Sequence, residues 1–164
     1  MSVKKFNLII HPKTKGSARE WGIGNFSKLV EILPEQNYKI FITGTRDDGR
    51  QISAMLKRYR QRVVDLTGMM NLSELISFIH AADGLVAAST GPLHIASALG
   101  RFALGLYAPM RPINAGRWAP VGKKADFLMI DKVCNDCRKT TDCHCLKSIT
   151  PENVYRRIKR SLKP

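Results

Sequence analysis

The sequence predicts an α/β domain, a parallel sheet of short strands with helices on both faces. Three observations carry that expectation. Six apolar runs of four to six residues alternate with segments whose apolar residues recur at helical spacing. The connections between runs are long enough for the crossover helices that parallel pairing requires. One run, Gly84-Leu-Val-Ala-Ala88, passes straight into Ser89-Thr90-Gly91-Pro92-Leu93-His94-Ile95-Ala96, a strand that turns at once into a helix.

In chain order, Phe6 to Ile10 is the first strand and ends at His11-Pro12. Asn25 is placed to cap a helix whose Phe26, Leu29, Val30 and Leu33 share one face. Tyr38 to Ile42 is the second strand, followed by a helix from about Asp47 to Tyr59 with Ile52, Met55 and Leu56 inward. Val63 to Leu66 is a short third strand. Ser73 and Glu74 open the polar side of the next helix, with Leu72, Leu75, Ile76 and Ile79 as its apolar stripe. Gly84 to Ala88, Phe102 to Tyr107 and Phe127 to Ile130 complete the strands, and Thr150-Pro151-Glu152 starts a terminal helix. Only Ala108 to Lys124, rich in Pro and Gly, exceeds a simple connector, and long ordered loops are often functional.

The chain of 164 residues suits one domain, 1–164, with a buried core. No apolar run approaches the roughly 20 residues that span a bilayer. The start, Met-Ser-Val-Lys-Lys-Phe-Asn, lacks the apolar core of a signal peptide, so a cytoplasmic location is expected. Lys and Arg outnumber Asp and Glu by 27 to 13, a formal charge of +14. That surplus favours an anionic partner: nucleotide phosphate, nucleic acid or an acidic membrane face. Arg156, Arg157, Lys159, Arg160 and Lys163 cluster in the final helix, where a solvated basic face is the plainer reading. A nucleic-acid-binding domain remains an alternative, without a recognition motif and with only 7% aromatic residues.

In an open parallel sheet, ligands bind beyond the carboxyl ends of the strands. Four loops leave such ends: His11 to Trp21 with three cations, Gly44 to Asp48, Thr67 to Met70, and the Ser89-Thr90-Gly91 turn. Together they supply cations for phosphate, a carboxylate for ribose hydroxyls and an apolar platform for a base. The turn at Thr90-Gly91 offers uncapped helix N–H groups, a ready phosphate site. Taken alone, each loop reads more plainly as a solvated connector; four complementary loops at four consecutive strand ends favour the ligand site. No Gly-x-Gly-x-x-Gly, P-loop or Gly-x-Ser-x-Gly motif occurs, which disfavours dinucleotide dehydrogenases, P-loop NTPases and serine hydrolases.

Taken in order, His11-Pro12, Arg19-Glu20-Trp21, Gly44, Leu66-Thr67-Gly68, Ser89 to Ala96 and Leu106-Tyr107 resemble the carboxyl-terminal half of the heptosyltransferases of glycosyltransferase family 9. The resemblance spans nearly the whole chain. It implies one Rossmann-like half of a GT-B enzyme, the nucleotide-sugar-binding half, with the amino-terminal acceptor domain absent from this chain. The implied reaction is inverting, metal-independent transfer of heptose from ADP-heptose to the lipopolysaccharide inner core. The chain alone would then be inactive, and its place would be cytoplasmic and peripheral to the inner membrane, against an anionic lipid surface. Position by position, Arg19 takes the place of the cation on the donor phosphates and becomes the candidate catalytic residue. Thr14 and Lys15 fall in the phosphate loop, Asp48 near the ribose, and Met70 beside the adenine. Thr90, Gly91 and His94 match the phosphate turn and its helix. Ser89 stands where many members carry Asp, which removes a negative charge beside the diphosphate. A catalytically inactive nucleotide-binding adaptor is therefore a second reading.

Cys134, Cys137, Cys143 and Cys145 fall within twelve residues. The spacing is compatible with a structural zinc site, with reduced thiols, or with a disulfide formed on exposure to air.

Overall fold

In the computed structural model, the described residues are 4–111, 113–132, 134, 136, 140 and 142–161. Six strands form one parallel sheet: β1 (Phe6–His11), β2 (Tyr38–Ile42), β3 (Val63–Asp65), β4 (Gly84–Ala88), β5 (Phe102–Tyr107) and β6 (Ala125–Met129), in the order β3-β2-β1-β4-β5-β6. The order reverses between β1 and β4, paired with Leu8 against Gly84 and His11 against Ala87. A crevice at the carboxyl ends of these two strands follows from that reversal, because the chain leaves them in opposite directions.

Alternation along the strands builds two cores. Leu8, Ile10, Ile40, Ile42, Val86 and Leu104 point to one face. There they meet α1 (Ile23–Ile32) through Phe26, Leu29 and Val30, and α8 (Pro151–Ser161) through Val154 and Ile158. Ile9, Leu85, Ala87 and Ala103 point to the other, under α4 (Leu72–Ala81) and α5 (Gly91–Ala98). The doubly covered parallel sheet expected from the sequence is therefore present.

Four local expectations are corrected. Asn25 does not cap α1; Gly22 does, at φ 97°. Asn25 sits within the first turn and its Nδ2 donates to the carbonyls of Trp21 and Lys147, at 3.0 and 2.9 Å. The helix expected over 47–59 is two helices, α2 (Arg46–Gln51) and α3 (Ser53–Arg58). They join at Ile52, whose ψ of 14° opens the turn while its side chain stays buried. β6 begins at Ala125, two residues before the apolar run, because parallel pairing to β5 starts at Ala103–Ala125. Leu72 and Ile76, expected inward on α4, are 66% and 37% exposed. Leu75, Phe78 and Ile79 make the contact with the core instead, with Phe78 edge-on to Phe41.

The 108–124 segment carries one short helix, α6 (Ala115–Trp118), fixed by the Tyr107 hydroxyl donating to the Trp118 carbonyl. A last short helix, α7 (His144–Lys147), precedes α8 and is tied to the core by Trp21 Nε1 donating to the Ile149 carbonyl at 2.8 Å.

Candidate functional site

A cleft of about 650 Å³ lies over the carboxyl ends of the strands, at the crevice set by the reversal. It is built from the four loops that the sequence singles out. The loop after β1 turns tightly, with Lys15 and Gly16 both at positive φ (50° and 81°) and the Ser17 N–H on the Thr14 carbonyl at 3.0 Å. Thr14 is buried; its Oγ1 donates to the Ala18 carbonyl at 2.8 Å. Glu20 steadies the loop from behind, accepting from the Thr14 N–H at 3.3 Å and pairing with Lys13 at 2.6 Å. Lys15 is left exposed at the mouth of the cleft.

Thr45 caps α2, and Asp48 completes a capping box. The Asp48 Oδ2 accepts from the Thr45 N–H and Oγ1, each at 2.7 Å, in a residue 5% exposed. The loop after β3 packs backbone to backbone on this one, the Gly68 N–H reaching the Gly44 carbonyl at 2.9 Å. Gly68 has φ 70°, and a Cβ there would stand 2.8 Å from the Arg46 side chain, so this contact needs glycine. Its result is an apolar wall of Met70, Leu72 and Leu75.

Opposite that wall is the start of α5. Thr90 is the N-cap residue but makes no side-chain cap hydrogen bond, and its buried Oγ1 has no partner. Buried hydroxyls are almost always paired, so an unpaired one at the wall of a cleft stands out. A Cβ on Gly91 would meet nothing within 4 Å, so the backbone there faces open space. Beside it, His11 at the end of β1 hydrogen-bonds Thr43 Oγ1 at 2.9 Å. Burial pushes the His11 pKa down to about 4, opposed by Asp48 and reinforced by Lys15, so the ring is neutral at pH 7.

Thr14, Lys15, Asp48, Met70, Thr90 and Gly91 thus share one cleft. His94 does not line it; it lies in an adjoining hollow of about 290 Å³ with Ser89, Thr90, Gly91 and Trp118. Arg19 is not in the main cleft either. The 14–17 turn carries the chain past the cleft, so Arg19 lines two hollows behind it, one with Thr14 and Lys147, the other with Ser89 and Tyr107. Ser89 lies beside Tyr107 in the second of these hollows. His11, Thr43 and Arg46 also line the cleft without having been assigned a role from the sequence. Their position at the carboxyl ends of β1 and β2 was the signal available for them.

Cys143 is buried at the start of α7, where its Sγ accepts from the Leu146 N–H at 3.4 Å, and Cys145 packs into the same core. Cys134 packs against that core, and Cys137 lies outside the described residues. Among the described residues there is no group of three or more His, Cys, Asp or Glu side chains that could hold a metal ion. No helix among them is long and apolar enough to cross a membrane.

Residues 1–147 match the family described as glycosyltransferase family 9 (heptosyltransferase). Lipooligosaccharide heptosyltransferase 2 of Haemophilus ducreyi is 28% identical over 90% of this chain and 44% of its own length. Lipopolysaccharide heptosyltransferase 2 of Escherichia coli is 29% identical over 87% of the chain and 42% of its own. Among solved structures, Escherichia coli ADP-heptose lps heptosyltransferase II superimposes with a TM-score of 0.79 at 22% identity, over 99% of this chain and 48% of that one. The Escherichia coli heptosyltransferase WaaC with ADP gives 0.75 at 17% identity, over 96% and 44%. These structures share the fold, and the chain spans less than half the length of the relatives it matches. By the match over residues 1–147, the chain belongs to glycosyltransferase family 9.

Proposed function

We propose that this chain is the donor-binding half of a GT-B heptosyltransferase, taking ADP-heptose as donor for transfer to the lipopolysaccharide inner core. The observation that carries the reading is the buried, unpartnered Thr90 hydroxyl at the open amino terminus of α5, facing a cationic loop across the cleft. Helix N–H groups, Lys15 and Thr90 suit a diphosphate. In this reading Asp48 takes the ribose hydroxyls and the Met70–Leu72–Leu75 wall takes the purine. The adjoining hollow, lined by Ser89, His94 and Trp118, shares Thr90 and Gly91 with the cleft and suits the sugar.

In this reading the sugar carbon is attacked by an acceptor hydroxyl, and its bond to the diphosphate oxygen breaks with inversion. The leaving diphosphate gains negative charge as that bond breaks. Preorganised N–H groups at Thr90-Gly91 and a cation stabilise it without a metal ion. Arg19 is the proposed cation, approaching from the hollow it shares with Ser89. The base that takes the acceptor proton belongs to a facing amino-terminal domain, and the whole enzyme works on the cytoplasmic side of the inner membrane.

Calorimetric titration with ADP-, UDP- and GDP-sugars tests the donor. ADP-heptose should bind tightest, and Arg19→Ala should weaken it by roughly tenfold or more, the size of a lost charge-assisted phosphate contact. Equal binding of all three nucleotides, or unchanged affinity in the variant, would overturn the assignment.

A further inference from the structure

At the end of the sheet opposite the donor cleft lies a second hollow, of about 530 Å³. Its walls are the first residues of β1, β5 and β6 and the last turn of α8. Arg101 enters it from the link out of α5, Lys123 and Lys124 from the turn before β6, and Arg157 and Arg160 from α8. That turn is fixed, because the Ser97 hydroxyl donates to the Val121 carbonyl at 2.5 Å.

Two carboxylates also line the hollow, and both are engaged. The Asp83 Oδ2 accepts the Asn7 N–H at 2.8 Å, and the Asp126 Oδ2 accepts from Arg157 Nη1 at 2.7 Å. Arg101, Lys123, Lys124 and Arg160 make no ion pair with any described carboxylate. The carboxyl ends of α5 and α8 lie beside the hollow and offset part of its charge. They account for tolerated surface lysines. They do not account for Arg101 Nε, which is buried and has no hydrogen-bond partner. Buried donors are rarely left so, and a guanidinium poised at the wall of an open hollow matches the planar fork that binds phosphate.

We propose that this hollow binds a phosphate-bearing anion, held by Arg101 and Arg160 with Lys123 and Lys124 at its rim. It shares no residue with the donor cleft, so it stands apart from the proposed function. The same chemistry fits a soluble phosphate ester or the headgroup of an anionic lipid. The headgroup would also bring the 85% exposed Val121, two residues before Lys123, against the bilayer.

Amide NMR of the whole chain, titrated with inorganic phosphate, separates the two sites. Shifts at Arg101, Phe102, Ala125 and Asp126 report the hollow; shifts at Gly44, Gly68 and Gly91 report the cleft. Co-sedimentation with phosphatidylglycerol vesicles against phosphatidylcholine vesicles, near physiological salt, tests the lipid source. Arg101→Gln with Arg160→Gln should weaken either interaction roughly tenfold or more. The exposed pair Lys123→Gln with Lys124→Gln should weaken it in the same direction, and serves if the Arg101 variant does not fold. Phosphate shifts in the hollow support a soluble ligand, and retention on anionic vesicles alone supports a headgroup. Absence of both, or binding indifferent to both variants, overturns the proposal.

Discussion

Thr90 and His11 show how single residues in this cleft carry a cost in stability. The Thr90 hydroxyl is desolvated yet unpaired, a state that costs stability. Thr90→Val keeps the shape and removes the orphan. Its thermal midpoint should be unchanged or slightly raised, while ADP affinity measured by calorimetry should fall roughly tenfold. His11 is held neutral by burial, with a pKa near 4 against 6.5 when exposed. The unfolded chain therefore takes up a proton that the folded chain refuses between those values. Stability is at its full value above pH 6.5 and declines as the pH falls toward 4, by up to about 3 kcal/mol. Urea midpoints at pH 7 and 4.5 should show that decline, and His11→Gln should flatten it. An equally steep decline in the variant would place the acid-sensitive group elsewhere.

Among the elements, strands were the most legible from sequence, because a buried parallel strand needs a run of apolar residues and little else. Gly84 to Ala88 and Phe102 to Tyr107 match the structure residue for residue. Helix boundaries were less so, since they depend on partners distant in sequence. Asn25 looked like a cap, but its amide is drawn to the Lys147 carbonyl, 122 residues on. Thr45 and Asp48 form a local capping box, yet Ile52 breaks the helix they start so that its side chain can stay in the core. The candidate site followed the same division. Residues at strand ends, such as Asp48 and Thr90, fell together because topology places those ends together. Arg19 fell behind the loop because the positive-φ turn at Lys15-Gly16 sets where the next residues go. Gly68 shows how far an element depends on one backbone conformation. Gly68→Ala adds a Cβ at positive φ against Arg46, and should destabilise the fold by about 1 kcal/mol or more. It should also weaken nucleotide binding by displacing Met70. Chemical denaturation and ADP titration of the variant measure both effects, and binding intact in a destabilised protein would detach Met70 from the base.

The whole molecule has a closed core and an open site. Both faces of the sheet are covered by helices, and the largest side chains, Trp21, Tyr107 and Phe26, are fully enclosed. By contrast the crevice end presents Met69, Leu72, Ile113 and Trp118 to solvent, at 67%, 66%, 37% and 47% exposure. These residues flank the cleft and its adjoining hollow on two sides, as expected of a surface over which a second domain closes. Inverting transfer needs the acceptor hydroxyl, its base and the sugar carbon in line, and in the proposed reading the acceptor and base come from a facing domain. Bringing them together is a positioning effect that is worth several kcal/mol in the barrier. The 164-residue chain should therefore bind ADP-heptose but show no transfer above background. Adding an acceptor-binding domain in the same chain should restore transfer while leaving ADP affinity within a few-fold. A radiolabelled-donor assay on both forms decides the matter. Full-rate transfer by the chain alone would place the base among its own residues, with His11 and His94 the first to replace.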